Sequence, residues 1–221
     1  GLIAGFGNLY ATGEEERSYN MIKCIMFFFA IFGTYCVACY MSVIQDFIPI
    51  WVGAEYVMEY DLVVAVMIVF YLRMVTNTVW ICRSTMGIFK EVQYINLAAA
   101  VLNIVFSIIL GYIMGVSGVI VATAVSRLLT SFWYEGKVVF NKLGKSAKEY
   151  YALQLRSVLI SAIIIGSSVG INKLIELTSI GGMVVKVCVC TIITVTVEVL
   201  CNRKTMEFKM LVEKVLKIVQ R

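Results

Sequence analysis

Six long apolar stretches fill most of this 221-residue chain and limit what it can fold into. The hydrocarbon core of a bilayer is about 30 Å thick and an α-helix rises about 1.5 Å per residue, so about 20 apolar residues cross it. The mean hydropathy of +0.90 and the hydrophobic fraction of 61% leave little material for a water-facing domain. The sequence therefore predicts an all-α membrane protein, a polytopic bundle of about six transmembrane helices.

The transmembrane spans are predicted where apolar runs lie between charged or turn-forming residues. They cover residues 22–44, 62–82, 96–114, 119–133, 157–171 and 182–201. Gly115 and Gly118 allow only a very short turn between the third and fourth spans, which must therefore form an antiparallel hairpin. Pro49 is expected to stop the first helix, so that residues 47–56 form an interfacial loop.

The chain divides into five predicted parts. They are residues 1–21, the end of a preceding helix and a cytoplasmic loop; 22–134, a four-helix part of a bundle; 135–156, a cytoplasmic basic loop; 157–201, two additional transmembrane helices; and 202–221, a basic amphipathic cytoplasmic tail. Because the first residues resemble the end of a helix, we expect the chain to be the C-terminal half of a longer protein. The tail fits either a helix lying in the membrane interface or an ordinary solvated helix.

Basic residues are distributed unevenly between the two predicted sides of the membrane. The loops on one side contribute only Lys173, whereas nearly all other Lys and Arg outside the spans lie on the other side. The positive-inside rule places the basic side, including the C-terminus, in the cytoplasm. A net charge of +5 beside membrane helices also points to anionic lipid headgroups as partners, and not to nucleic acid.

The residues needed for common kinds of catalysis are missing from the sequence. It contains no His, no nucleophile paired with a base and no phosphate-binding glycine-rich loop. Cys36 and Cys39 have the spacing of a redox or zinc pair, but no second pair accompanies them. We therefore expect a protein that is not an enzyme and that has neither a cofactor nor a metal site.

Several short motifs follow one another in a characteristic order. They are Gly7-Asn-Leu-Tyr-Ala-Thr-Gly-Glu-Glu-Glu-Arg17, Phe47-Ile-Pro-Ile-Trp-Val-Gly53-Ala-Glu-Tyr56, Phe70-Tyr71, Arg83-Ser-Thr-Met-Gly87-Ile-Phe89, Asn103 with Ser107, Gly118-Val-Ile-Val-Ala-Thr-Ala-Val-Ser126 and Trp133-Tyr134-Glu135. In this order they resemble the C-terminal half of bacterial polysaccharide flippases, in the multidrug, oligosaccharidyl-lipid and polysaccharide exporter superfamily. Two residues depart from the family pattern: Ala122 replaces a frequent Gly, and Arg73 replaces a small or neutral residue.

The resemblance implies a transporter built from two helical bundles, with a central cavity that opens alternately to the two membrane faces. Such a protein flips undecaprenyl-linked oligosaccharide across the bacterial plasma membrane for capsule or exopolysaccharide synthesis. Its partners would be the lipid-linked oligosaccharide and the missing N-terminal half. Two alternatives stay open, a multidrug or cation antiporter of the same superfamily and a membrane glycosyltransferase or polysaccharide polymerase.

Arg73 is the first candidate for substrate binding, because a charge near the centre of a span costs at least about 2.5 kcal/mol. It either binds the cargo's pyrophosphate or pairs within the bundle, and both interpretations remain. Arg127 in the fourth span is a second cationic candidate, although its side chain can also snorkel to the interface. Asn77 and Asn103 fit either contacts with sugar hydroxyls or hydrogen bonds between helices.

Two further features of the last spans are predicted to be structural. Lys186 and Glu198 are expected to reach the two membrane interfaces. Ala162, Gly166 and Gly170 recur every fourth residue, which indicates a smooth stripe for close helix packing.

Overall fold

The structure, a computed structural model, describes residues 2–176 and 178–219; it is 86% helical and contains no strand in those ranges. The helices are α1 (Leu2–Ala11), α2 (Glu15–Trp51), α3 (Tyr60–Thr85), α4 (Gln93–Leu129), α5 (Ser131–Lys142), α6 (Ala147–Asn172), α7 (Ile180–Asn202) and α8 (Met206–Val219), with a 3-10 turn at Ala54–Tyr56. Five stretches of the described chain are long and apolar enough to cross a membrane. The prediction of an all-α helical bundle is confirmed.

The longest of these stretches, Gln93–Lys142, folds back on itself. At Gly115 the backbone leaves the helical region, with φ 62° and ψ −138°. The amide nitrogen of Asn103 lies 3.2 Å from the hydroxyl oxygen of Thr123, whereas twenty residues of continuous helix would span about 30 Å. The predicted hairpin is therefore present: a first arm (residues 93–114) and a second arm (residues 116–129) run antiparallel.

Helix α2 is the centre of the bundle and packs against α3, α6, α7 and α8. Three clusters of buried apolar side chains follow one another along it. The largest surrounds Tyr19 and Tyr150, the next surrounds Ala30 and Phe132, and the third surrounds Val37. The two arms of α4 pack against α3 and α5; the second arm contributes Ala124 to the cluster around Ala30, whereas the first arm has no buried residue and exposes much of its apolar surface.

Polar contacts define the two ends of the bundle. At one end, called here the basic end, three ion pairs join residues far apart in the sequence: Lys145–Glu16 at 2.8 Å, Arg83–Glu135 at 2.6 Å and Lys23–Glu207 at 3.6 Å. The hydrogen bond to Glu16 raises the pKa of Lys145. The other end, called the opposite end, contains Lys186 paired with Asp46 and the amine of Lys173 over the ring of Tyr60. The basic residues that were predicted to share a side thus meet at one end, and its cytoplasmic location stays a prediction.

Several helices are longer than their predicted spans. Helix α2 starts at Glu15, seven residues before the predicted span, so residues 15–21 are helical and not a loop. It also continues past Pro49 to Trp51, although Pro49 has no N–H to donate to the backbone carbonyl of Gln45, one turn earlier. Hydropathy predicts only the part of a helix that lies within the hydrocarbon core, whereas the helix continues as long as its backbone hydrogen bonds are satisfied.

The predicted basic loop at residues 135–156 is wrong. Helix α5 extends to Lys142 and α6 begins at Ala147, so only residues 143–146 of this segment are outside a helix. Charged residues mark the water-facing parts of both helices, and α6 is capped by the Ser146 hydroxyl, which accepts a bond from the backbone N–H of Lys148.

Helix α8, the predicted amphipathic tail, packs against the basic end of α2. The ring of Phe208 lies 6.3 Å from the ring of Phe27, next to the Lys23–Glu207 pair. Arg221 and the side chains of residues 215 and 217–219, which belong to the predicted amphipathic pattern, lie outside the described residues.

The small-residue stripe of α6 is not a close-packed contact. Ala162, Gly166 and Gly170 are all exposed, and a Cβ atom added at either glycine would meet no other atom within 4 Å. The close approach occurs at Gly118, where an added Cβ would lie 2.0 Å from the carbonyl oxygen of Leu110 in the other arm of the hairpin.

Candidate functional site

A cavity with a volume of about 520 Å³ lies between α3, both arms of α4, α5 and α6. All four residues that the sequence singled out line it: Arg73 and Asn77 from α3, Asn103 from the first arm and Arg127 from the second. The volume falls within the range of about 300–1,000 Å³ that is typical of small-molecule sites. The fold thus brings the four candidate residues into one cavity.

The cavity wall on α3 is a single helical face. Arg73, Asn77, Trp80 and Arg83 line the cavity at intervals of three or four residues. Arg73 lies in the middle of α3 and Arg83 in its last turn, so this face extends about 15 Å towards the basic end.

Three arginines and one glutamate line the cavity, which leaves a formal charge of +2. Arg83 donates to the Glu135 carboxylate at 2.6 Å, and each side chain is only 14% exposed, so these two charges compensate one another. Arg73 and Arg127 are exposed and form no ion pair with any residue in 2–176 or 178–219. The excess positive charge therefore belongs to Arg73 and Arg127.

The asparagines of the cavity differ in what they bind. The side-chain amide of Asn103 donates to the hydroxyl of Thr123 at 3.2 Å and lies 3.5 Å from the hydroxyl of Ser126. These contacts support the interpretation that Asn103 forms hydrogen bonds between helices. The side-chain amides of Asn77 and Asn96 form no hydrogen bond with the described part of the chain. They remain available to a ligand.

Tyr150 of α6 fixes the wall of the cavity nearest the core. Its ring is fully buried, its hydroxyl donates to the backbone oxygen of Phe132 at 2.7 Å, and it accepts from the amide of Gln154 at 3.2 Å. The same amide donates to the backbone oxygen of Val75 at 3.1 Å. A Cβ atom at Gly136 would lie 2.1 Å from the Tyr150 ring, so glycine is needed for α5 and α6 to approach this closely. These contacts join α3, α5 and α6 into one rigid wall.

Lys186 and Glu198 of α7 are buried within the bundle, whereas the sequence predicted that they extend outward to the two membrane interfaces. Each is only 6% exposed. Lys186 pairs with Asp46 of α2 at 2.5 Å, and the Glu198 carboxylate accepts from the amide of Asn202 at 2.6 Å. Lys186 thus has its partner in α2, whereas the partner of Glu198 belongs to α7 itself.

Sequence reasoning missed Trp80, Arg83 and Glu135 as cavity residues. Trp80 and Arg83 had a detectable signal, since they follow Arg73 by seven and ten residues and so share its helical face. Glu135 occurs in one of the sequence motifs, but the predicted loop at 135–156 placed it outside the bundle.

Comparison with known proteins does not add to this picture: no family model, curated protein or solved structure matches the chain.

Proposed function

We propose that this chain forms one bundle of a transporter that moves an undecaprenyl-linked oligosaccharide from the cytoplasmic to the outer leaflet by alternating access, in the synthesis of capsule or exopolysaccharide. A second bundle of the same protein completes the central cavity. The protein resides in the bacterial plasma membrane with the basic end and the C-terminus in the cytoplasm. Helix α8 and the other basic segments at that end contact anionic lipid headgroups.

The observation that carries the proposal is the pair of uncompensated arginines in a cavity within the bundle. An intramembrane charge is costly, and its usual places are the bundle interior and water-filled cavities. Arg73 and Arg127 line such a cavity and have no carboxylate partner among the described residues. A ligand that brings negative charge, such as a pyrophosphate, would supply that partner, and the planar guanidinium group suits phosphate oxygens.

The position of the cavity agrees with loading from the basic end. Its lining reaches from Arg73, at mid-helix, to the Arg83–Glu135 pair in the last turn of α3. A headgroup that enters from the cytoplasm would reach the free arginines without crossing the hydrocarbon core. The prenyl chain would stay in the bilayer beside the exposed apolar surface of the α4 arms.

One observation favours the antiporter alternative. Glu198 is buried in α7, forms no ion pair with the described residues, and lines a small pocket with Lys23, Arg156 and Glu207. A buried carboxyl group of this kind is a common proton or cation site in transporters. If the protein is an antiporter, Glu198→Gln will abolish transport driven by a pH gradient and leave headgroup binding unchanged.

The proposal is tested by binding of geranyl diphosphate, a short prenyl diphosphate, to the purified protein in lipid nanodiscs. Arg73→Gln removes the charge and keeps a hydrogen-bonding side chain. Since a hydrogen bond to a charged group contributes about 1.5–3 kcal/mol, we expect the affinity to fall roughly 10- to 150-fold. Arg73→Lys restores the charge without the forked geometry and should recover part of the loss.

The control for folding is the thermal stability and membrane abundance of each variant. Both should equal those of the wild type, because Arg73 has no described partner to lose. If Arg73→Gln binds geranyl diphosphate as tightly as the wild type, or if its stability falls in parallel with binding, the arginine is structural and the proposal fails.

A further inference from the structure

Besides its two free arginines, the cavity contains an aromatic ring and two uncharged amide side chains. Trp80 lines the cavity with about half of its surface exposed, 49%, and the free amides of Asn77 and Asn96 line the same space. None of these three side chains carries a charge, and none is used by the described contacts of the bundle. They form a neutral hydrogen-bonding surface around an aromatic ring.

These residues occupy a definite level of the cavity. Trp80 follows Arg73 by seven residues on the same face of α3, which places it about 10 Å nearer the basic end. Asn77 lies one turn beyond Arg73, between the two. Asn96 comes from the first turn of α4, which also starts at the basic end. Arg73 and the neutral groups are therefore separated along the cavity axis, whereas Arg127, in the last turn of α4, lies near the basic end.

We propose that Trp80, Asn77 and Asn96 form a subsite for a sugar ring. The apolar C–H face of a pyranose stacks on an aromatic ring, and its hydroxyl groups need amide donors and acceptors around the edge. The inference rests on the proposed function, because the sugar would belong to the same ligand whose diphosphate binds Arg73. The order of the groups matches such a ligand entering from the basic end: the diphosphate lies at mid-membrane and the first sugar nearer the cytoplasm.

An aromatic belt residue is the other common use of a tryptophan near a helix end. A belt residue faces lipid headgroups and would have no effect on ligand affinity. Trp80 faces the cavity that contains the free amides, and this location favours the subsite.

The test compares two ligands whose prenyl chains are short enough for them to dissolve in water. The protein is held in lipid nanodiscs, because the sugar headgroups of common detergents could compete for the site. Geranyl diphosphate supplies the anion alone, and geranyl-diphosphate-linked N-acetylglucosamine supplies the anion and one sugar. Only three tryptophans occur in the chain, so Trp51→Phe and Trp133→Phe leave Trp80 as the sole fluorescent reporter. We expect the sugar-bearing ligand to change Trp80 emission much more than the diphosphate alone.

The affinities of Trp80 variants for the two ligands then test whether the Trp80 ring contacts the sugar. Trp80→Leu should weaken binding of the sugar-bearing ligand about 2- to 12-fold and leave geranyl diphosphate binding unchanged. Trp80→Phe should retain most of the affinity, and Trp51→Leu, which removes the same ring at the opposite end, is the matched control. If Trp80→Leu affects both ligands equally or neither, the sugar subsite is wrong while the diphosphate site stands. If neither ligand binds the wild type, the proposed function fails and the subsite fails with it.

Discussion

Replacing Gly118 by Ala tests the hairpin that forms one side of the cavity. The added Cβ would lie 2.0 Å from the Leu110 carbonyl oxygen, whereas ordinary contact begins at 3.4 Å, so the arms must separate by about 1.4 Å. Overpacking of this kind typically costs about 1–3 kcal/mol. The separation also breaks the Asn103–Thr123 hydrogen bond, which contributes about 0.6 kcal/mol on average between membrane helices. The helix propensity of Ala recovers up to about 1 kcal/mol, so we expect a net loss of about 1–3 kcal/mol.

The assay is the free energy of unfolding in mixed micelles titrated with SDS and followed by circular dichroism. Gly166→Ala is the matched control, because it makes the same chemical change in α6 where an added Cβ meets nothing within 4 Å. The control should be neutral or more stable by up to about 1 kcal/mol. Equal stability of the two variants would refute the close approach of the arms.

Two further predictions concern contacts that hold the bundle around the site. Asp46→Asn or Lys186→Met alone should destabilise the protein by about 3–5 kcal/mol, because each leaves a buried charge unpaired. The double variant should recover most of that loss in the same unfolding assay. If the losses of the two single variants simply add in the double variant, the two residues are not coupled. Gly136→Ala should cost about 1–3 kcal/mol by displacing the Tyr150 ring, and a thermal midpoint equal to that of the wild type would contradict the packing of α5 on α6.

The sequence predicts those parts of the fold that depend on local signals. The hairpin follows from Gly115 and Gly118, and the long apolar helices follow from the apolar runs. Arg73 could be selected because a mid-span charge is costly wherever it occurs. In each case the physical cause lies within a few residues of the feature.

The features that escaped prediction depend on partners far along the chain. Lys186 is buried because Asp46, 140 residues earlier, lies beside it, and hydropathy cannot reveal such a pair. The small residues at Gly166 and Gly170 fit a packing motif, but no helix lies against that face of α6 in the described structure. A pattern on one helix identifies a face, and only the fold identifies what the face contacts.

The most direct test of the transporter account is the leaflet distribution of lipid-linked sugar in cells that produce the protein. With the wild type, the lipid-linked oligosaccharide should appear in the outer leaflet, where an impermeant sugar-modifying reagent reaches it. With Arg73→Gln at equal membrane abundance, it should accumulate in the inner leaflet, protected from the reagent. If wild type and variant give the same distribution, Arg73 has no part in moving the lipid-linked sugar, and the account of the cavity is contradicted.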